Sequence, residues 1–394
     1  MYRRSLLAAW LAIASLGSLC GQAAKPVKTE KATPNASRED YVGDGVCQSC
    51  HQAKVESFHR TGHYLTSRMP SRESILGNFS PGENVLKTWN PELYFRMEEK
   101  DGEFYQTAVE GEAPAENLRR ERIALVFGSG GKGQTYSYWR GDEMFQLPVS
   151  YWRRLGWVNS PGYEDGVANF GRPIPPRCLE CHGTYFEAVA ASENAYKKTG
   201  FVVGIECERC HGPGRAHSER YASKRGAGAE TGILNPAHFS RERQLDLCAL
   251  CHGGVGKPLQ PSFSYVAGEA LDKYIAFPRL DPNAPLDVHG SQIETLKRSR
   301  CFAPSTMTCE TCHDVHLEQH DLAGFSQKCL GCHKVEACGM FASRGKRIAA
   351  NCIDCHMPMQ ETNLIVFDEN GKKEKPEVRN HWIKVYPEAT RSVH

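Results

Sequence analysis

A mainly α and irregular fold with one small antiparallel β-sheet insert is what this sequence predicts, on three observations. A five-residue word, Cys-x-x-Cys-His, occurs seven times. Six of the copies crowd into residues 178–356, where proline and glycine break the chain between them. A stretch within residues 80–160 instead carries short β-prone runs separated by turn signals.

The words are Cys47-Gln-Ser-Cys50-His51, Cys178-Leu-Glu-Cys181-His182, Cys207-Glu-Arg-Cys210-His211, Cys248-Ala-Leu-Cys251-His252, Cys309-Glu-Thr-Cys312-His313, Cys329-Leu-Gly-Cys332-His333 and Cys352-Ile-Asp-Cys355-His356. On a helical turn, thiols three apart share a face and can add to the two vinyl groups of one porphyrin. The histidine that follows supplies the proximal nitrogen to iron. A zinc knuckle or a redox dithiol leaves the residue after the second cysteine free to vary, and here it is histidine every time. The expected cofactors are seven covalently attached haem c groups with iron.

Haem changes how composition is read. The 394 residues hold 17 cysteines, an unusual load for a cytosolic enzyme. Fourteen belong to the words, leaving Cys20, Cys301 and Cys338. The formal charge of +2 misleads: loss of residues 1–24 removes Arg3 and Arg4 and brings it to 0, and seven haems with two propionates each would then bring the mature protein to about −7 oxidised and about −14 reduced. No basic tract interleaves with aromatics, so nucleic acid is not an expected partner. Between His182 and His356 the chain is too short to build a separate core for each haem. The porphyrins are therefore expected to be the core, giving a haem-filled interior that the apo-protein cannot fold without.

In chain order, residues 1–24 read as a signal peptide: Arg3-Arg4, an apolar run from Leu6 to Leu19, then small residues for cleavage. Lipidation at Cys20 is the less favoured alternative, since Leu19 is too large for the preceding position. Export by this signal, with haem c attached outside the cytoplasm, makes a periplasmic or extracellular protein the expectation, and no other run is apolar enough to span a membrane. Residues 25–40 form a linker and 41–79 the first haem segment, with a helix carrying His59 and His63 on one face. Residues 80–170 form the β-rich insert. One hairpin turns at Asp101-Gly102, and a second at Gly141-Asp142. Gly128 to Thr135 mimics a phosphate loop, but Gly133 stands where Ser or Thr is required, so it reads as a turn. Tyr136, Tyr138, Trp139, Tyr151, Trp152 and Trp157 read as aromatic sheet core. Residues 171–360 form the six-haem domain. Residues 361–394 form a C-terminal segment that supplies a distal ligand, with a strand at Asn363 to Phe367 and an Asn-Gly turn at 370–371.

The second axial site decides between electron transfer and catalysis. Seven of the 16 histidines are proximal: His51, His182, His211, His252, His313, His333 and His356. His63, His217, His289, His316 and His381 lead the distal candidates, His59 and His238 follow, and His320 and His394 come last. His217 and His316 stand too close to their own words to curl over the same porphyrin, so each is expected to reach a neighbour. Met307, Met340, Met357 and Met359 are expected to pack against the rings. Cys301 and Cys338, an even remainder in an oxidising compartment, are expected to form a disulfide.

The run from Cys207 to His217, with Gly212-Pro213-Gly214, resembles the signature of the cytochrome c-554 type of multihaem cytochrome. Tyr41 to His63, Ser299 to His316, Cys329 to Cys338 and Cys352 to Pro358 are similar too. The resemblance implies an exported electron-transfer protein with stacked haem pairs and His217 and His316 as distal ligands. The expected function is an exported heptahaem c-type cytochrome that carries single electrons along a haem chain between redox protein partners, more carrier than enzyme. It could associate with a membrane complex or an oligomer. The alternative is a multihaem oxidoreductase acting on a small nitrogen or sulfur compound such as hydroxylamine, nitrite or tetrathionate.

Overall fold

Alternation of buried and half-exposed side chains along Leu93–Lys100 gives the insert its first long strand, with Leu93, Phe95 and Met97 facing inward. In the computed structural model, which describes residues 36–111, 116–223, 232–278, 281, 286–369 and 372–392, this strand is β3 of ten between residues 67 and 159. They are β1 (Ser67–Arg68), β2 (Val85–Lys87), β3, β4 (Glu103–Glu110), β5 (Glu116–Arg122), β6 (Leu125–Phe127), β7 (Gly133–Arg140), β8 (Glu143–Gln146), β9 (Val149–Trp152) and β10 (Gly156–Asn159).

The β3–β4 hairpin turns through Asp101 and Gly102, at φ 55° and 78°. Positive φ at both central positions is the primed turn that matches strand twist. The second expected hairpin also forms, with β7 pairing β8 around Gly141 at φ 60°. The β region is larger than a small sheet. A four-stranded sheet runs β2-β3-β4-β5, and a six-stranded sheet runs β1-β6-β7-β9-β10 with β8 also on β7. The two share one core, in which Phe95, Met97 and Phe104 meet Val126, Tyr136, Tyr138, Phe145 and Val149. Buried Gln106 ties them together, donating to the Val149 carbonyl at 2.8 Å and accepting from its N–H at 3.1 Å. Local pairing made both hairpins readable. That two hairpins recruit further strands into facing sheets is long-range and was not.

Ten α-helices lie among the described residues: α1 (Asp44–Phe58), α2 (Pro176–His182), α3 (Cys207–His211), α4 (Arg215–Ala222), α5 (Arg241–His252), α6 (Gln292–Lys297), α7 (Leu322–Leu330), α8 (Phe341–Arg344), α9 (Ile353–His356) and α10 (Pro387–Ser392). α2, α3 and α9 are short because a word needs only one turn. Ser240 caps α5 and Asp321 caps α7, each side chain accepting a backbone N–H of the first turn. The helix expected to carry both His59 and His63 differs: α1 runs through word one and stops at Phe58, and His63 lies beyond it. Phe367–Glu369 pairs with Lys372–Glu374, so the C-terminal strand begins four residues later than expected.

The core thins abruptly toward the C-terminus. From residue 303 to 352, which spans words five and six, no hydrophobic side chain is buried. A segment this long with no apolar core of its own needs other apolar material to pack on. Residues 1–35, with the signal, most of the linker and Cys20, lie outside the described residues, as do residues 224–231 and 282–285, the 370–371 turn and His394.

Candidate haem-binding centre

Each word folds as roughly one helical turn, which sets its two thiols on one side and its histidine next to them. Words two and three are α2 and α3 themselves, word four ends α5, and word seven ends in α9. Word one sits inside α1, where His51 leaves helical geometry at φ −117° and ψ 34°. All the words open on a single cavity of about 4090 Å³. It is lined by all seven proximal histidines and by every word cysteine except Cys178. Shared among seven words, that volume is about 580 Å³ each, the size of a pocket for one cofactor-sized ligand. Among the described residues no three His, Cys, Asp or Glu side chains converge as a zinc site requires. A large apolar cavity ringed by paired thiols and single imidazoles fits porphyrins.

Four proximal rings each face a second imidazole across this cavity. The ring centroids are 6.5 Å apart for His51 and His217, 6.1 Å for His252 and His63, 6.2 Å for His211 and His316, and 6.3 Å for His313 and His381. Metal–imidazole bonds of about 2.0–2.1 Å on opposite faces of one iron put ring centroids about 6.3 Å apart. The spacing therefore leaves room for a single iron plane between the rings of each pair. His217 and His316 face the histidines of other words, not of their own. His289 lines the cavity near enough to His182 to depress its pKa, after burial, which is the larger cause.

The remaining candidates lie elsewhere. His59 does not line the cavity; its ring stacks on Tyr64 with centroids 3.9 Å apart, and its Nε2 meets the Asp44 carboxylate. His238 is exposed at the end of the turn Pro236–His238 and also misses the lining. His320 reaches the lining but is 81% exposed and bonded to Glu318 at 2.8 Å. Among the described residues no imidazole packs against His333 or His356.

Several proximal rings are held from behind. Nδ1 of His182 lies 2.9 Å from the Thr66 hydroxyl, that of His211 2.8 Å from the Leu234 carbonyl, and that of His356 2.9 Å from the Lys384 carbonyl. A proton held at Nδ1 leaves the Nε2 lone pair free for a metal. Burial, followed by His63, lowers the His252 pKa to about 4; burial, followed by His313, does the same for His381. Both rings are thus neutral at pH 7, as ligation demands.

The variable residues of the words carry structural work that motif reading passed over. Glu208 of word three is buried and accepts N–H groups from Val42, Gly43 and Gly214 at 2.7–2.9 Å, clamping the start of α1 to word three. Glu180 of word two accepts the Phe263 N–H at 2.8 Å and pairs with Arg177 at 2.9 Å and with Arg209 of word three at 3.6 Å. A charge inside an apolar neighbourhood is the one signal that could have drawn attention to them.

Neighbouring words touch through their thiols. Cys47 lies against Cys207, Cys181 against Cys251 and Cys248 against Cys309. Cys210 adds to the environment of Cys248, and Cys352 and Cys312 to that of Cys329. The words therefore run one–three–four–five–six–seven, and word two branches from four. The expected Cys301–Cys338 disulfide is absent, and both are free thiols. Cys301 neighbours Cys312 and Cys329, whereas Cys338 neighbours Cys355. Each is drawn to a different word, which an argument from leftover cysteines cannot foresee.

The family described as Cytochrome c554 and c-prime matches residues 168–212, which hold words two and three. The solved structure titled "Crystal Structure of Outer Cell Wall Cytochrome OcwA" aligns at a TM-score of 0.54 and 17% identity, covering 90% of this chain and 81% of that one. The undecaheme cytochrome from the S-layer of Carboxydothermus ferrireducens aligns at 0.41 and 17% identity, covering 89% of this chain and 53% of its own. Comparison with curated protein sequences finds no match. At 17% identity the first alignment speaks to fold, and the fold is a cytochrome's. Together with the repeated words, it gives this chain the attachment chemistry and architecture of a multihaem c-type cytochrome. No helix among the described residues is long and apolar enough to cross a membrane.

Proposed function

We propose that the chain is an exported heptahaem c-type cytochrome that carries single electrons along a haem chain between redox protein partners. The observation that carries this reading is the set of four facing imidazole pairs at 6.1–6.5 Å. When bound, haem supplies a reversible one-electron iron couple. Where two facing histidines would hold one iron, they would leave it no position for a substrate, so such a site would pass electrons without binding anything else. The cysteines and histidine of each word would hold one haem, and His63, His217, His316 and His381 would be the second ligands in the pairs they form. His289 takes the same role toward His182. The contacts between word thiols keep successive sites close, which short-range electron transfer needs.

On this reading residues 1–24 direct export, and the name of the outer cell wall cytochrome supports a site of action outside the cytoplasm. The two sheets between residues 67 and 159 carry no word and act as scaffold: Leu179 of word two packs into their second core with Leu125, Phe127 and Met144. The test is spectroscopic. Electron paramagnetic resonance of the oxidised full-length protein should be dominated by low-spin ferric haem, and partial reduction should redistribute electrons along the chain faster than mixing. Carbon monoxide binding to most reduced haems, or steady turnover of hydroxylamine, nitrite or tetrathionate as the principal activity, would overturn the assignment.

A further inference from the structure

The contact between words two and four is bracketed by a buried cluster of charge. Arg177 stands just before word two, Glu180 lies within it, and Arg209 lies within word three. Arg177 Nη1 donates to Glu180 Oε2 at 2.9 Å. Arg209 Nη2 donates to the Glu180 carbonyl at 3.1 Å and lies 3.6 Å from Oε1. The side chains of Arg177, Glu180 and Arg209 are 20%, 5% and 6% exposed. Arg177 also reaches word four, where Nη2 donates to the Leu250 carbonyl, and its Nη1 is 3.3 Å from Cys181 Sγ. Arg209 borders the cavity and lies over the Phe263 ring. The charges of both guanidiniums reach Cys181 of word two and Cys251 of word four.

Two guanidiniums meet one carboxylate, so the cluster keeps one net positive charge. Arg209 Nε is buried and has no hydrogen-bond partner among the described residues. Holding an incompletely paired guanidinium out of water costs free energy, and an apolar side chain of similar size would fill the space at less cost. Structural duty alone therefore does not account for Arg209. A fixed cation in a setting of low dielectric favours whichever state of a neighbour carries less positive charge, and for a haem that is the reduced state. Glu310 acts on Cys248 from the other side of word four, but it is exposed and screened by solvent.

We infer that the Arg177–Glu180–Arg209 cluster raises the reduction potential of the haems held by words two and four, so that electrons collect at this branch of the line. Each reduction adds one electron from the donor partner to one iron and takes its iron–porphyrin core from one positive charge to neutral, which removes a repulsion with the fixed cation. A unit charge about 10 Å from an iron, at an effective dielectric of about 20, changes that one-electron equilibrium about tenfold, or about 59 mV. The inference rests on reading the words as haem sites.

The experiment is a potentiometric titration of the full-length holoprotein with dithionite, followed by visible absorption and electron paramagnetic resonance, once intact mass has shown the full haem complement in each variant. Arg209→Gln should lower the midpoints of two components, each by about tenfold in the ratio of reduced to oxidised haem, and Arg209→Lys should keep them within about threefold of wild type. Glu180→Gln should move the same two components upward, because it removes the negative charge. Loosened packing would instead move both glutamine variants the same way. The two components should be those missing from the Cys178→Ser/Cys181→Ser and Cys248→Ser/Cys251→Ser variants. Arg177→Gln, at the more exposed member of the cluster, should also lower them, and it supplies the reading if Arg209→Gln does not assemble. Shifts of the same sign in Arg209→Gln and Glu180→Gln, equal shifts in Arg209→Lys and Arg209→Gln, or unchanged midpoints with all haems present would overturn the inference. A wild-type protein with no haem on word two or word four by peptide mass would instead overturn the reading of the words, so the two failures are distinguishable.

Discussion

Replacing Glu208 with alanine removes the acceptor that joins word three to the chain leading into α1. Glu208 is 2% exposed. Its Oε1 accepts the N–H groups of Val42 at 2.9 Å and Gly214 at 2.7 Å, and its Oε2 accepts that of Gly43 at 2.8 Å. A hydrogen bond to a charged group contributes about 1.5–3 kcal/mol, and an N–H left buried without a partner costs about 1–3 kcal/mol. The three share one acceptor and will not add fully, so Glu208→Ala should cost about 3–6 kcal/mol. That is a large part of the about 5–15 kcal/mol that holds a domain folded. Glu208→Gln can keep its oxygen on Val42 and Gly214 but must turn an amide N–H toward Gly43, so its cost should be about half. Hydrogen exchange of the holoprotein reads the effect locally: the Val42 and Gly43 amides should exchange about two to four powers of ten faster in Glu208→Ala, with Glu208→Gln intermediate. Denaturant midpoints should fall in the same order. Wild-type exchange at Val42 and Gly43 in the alanine variant, or equal effects of Gln and Ala, would refute the clamp.

Intact mass of the exported protein should exceed that of the mature chain by seven haems, and six or fewer would remove at least one word from the set. His63→Ala should leave His252 as the only ligand of its iron and add one high-spin, carbon monoxide-binding haem to the wild-type count; an unchanged count would break that pairing. Burial by itself lowers the pKa of the His252 and His381 imidazoles to about 4, below the unfolded value of about 6.5, and binding to iron would keep them neutral in the same direction. The unfolded chain therefore binds more protons between these values, so their contribution to stability is present above about pH 6.5 and lost as pH falls toward 4. Denaturant midpoints measured across that window should decline on acidification, and a flat profile would contradict it. Thiol labelling of denatured, unreduced mature protein should find Cys301 and Cys338 reactive, whereas no labelling would restore the disulfide.

What the sequence determined by itself is what local covalent geometry determines. Two thiols and a histidine must share one helical turn to hold one porphyrin, so each of the seven words can be read from five residues. Asp101-Gly102 announces its hairpin because few other pairs accept positive φ at both positions. His217 and His316 could be expected to cross to other words, since a short tether cannot loop over its own ring. Which word each one reaches belongs to the tertiary structure. Facing imidazoles are brought together across the cavity, not along the chain: His63 meets His252, and His381 meets His313, with no periodicity connecting them. His59, just past the end of α1, is engaged instead by Asp44, fifteen residues earlier at the start of that helix. The roles of Glu180 and Glu208 were hidden for the same reason, since a carboxylate inside a word is only a variable letter until the fold brings backbone N–H groups to it. Burial and long-range contact decide which charge is a clamp, which histidine is a facing ligand, and which thiols stay apart.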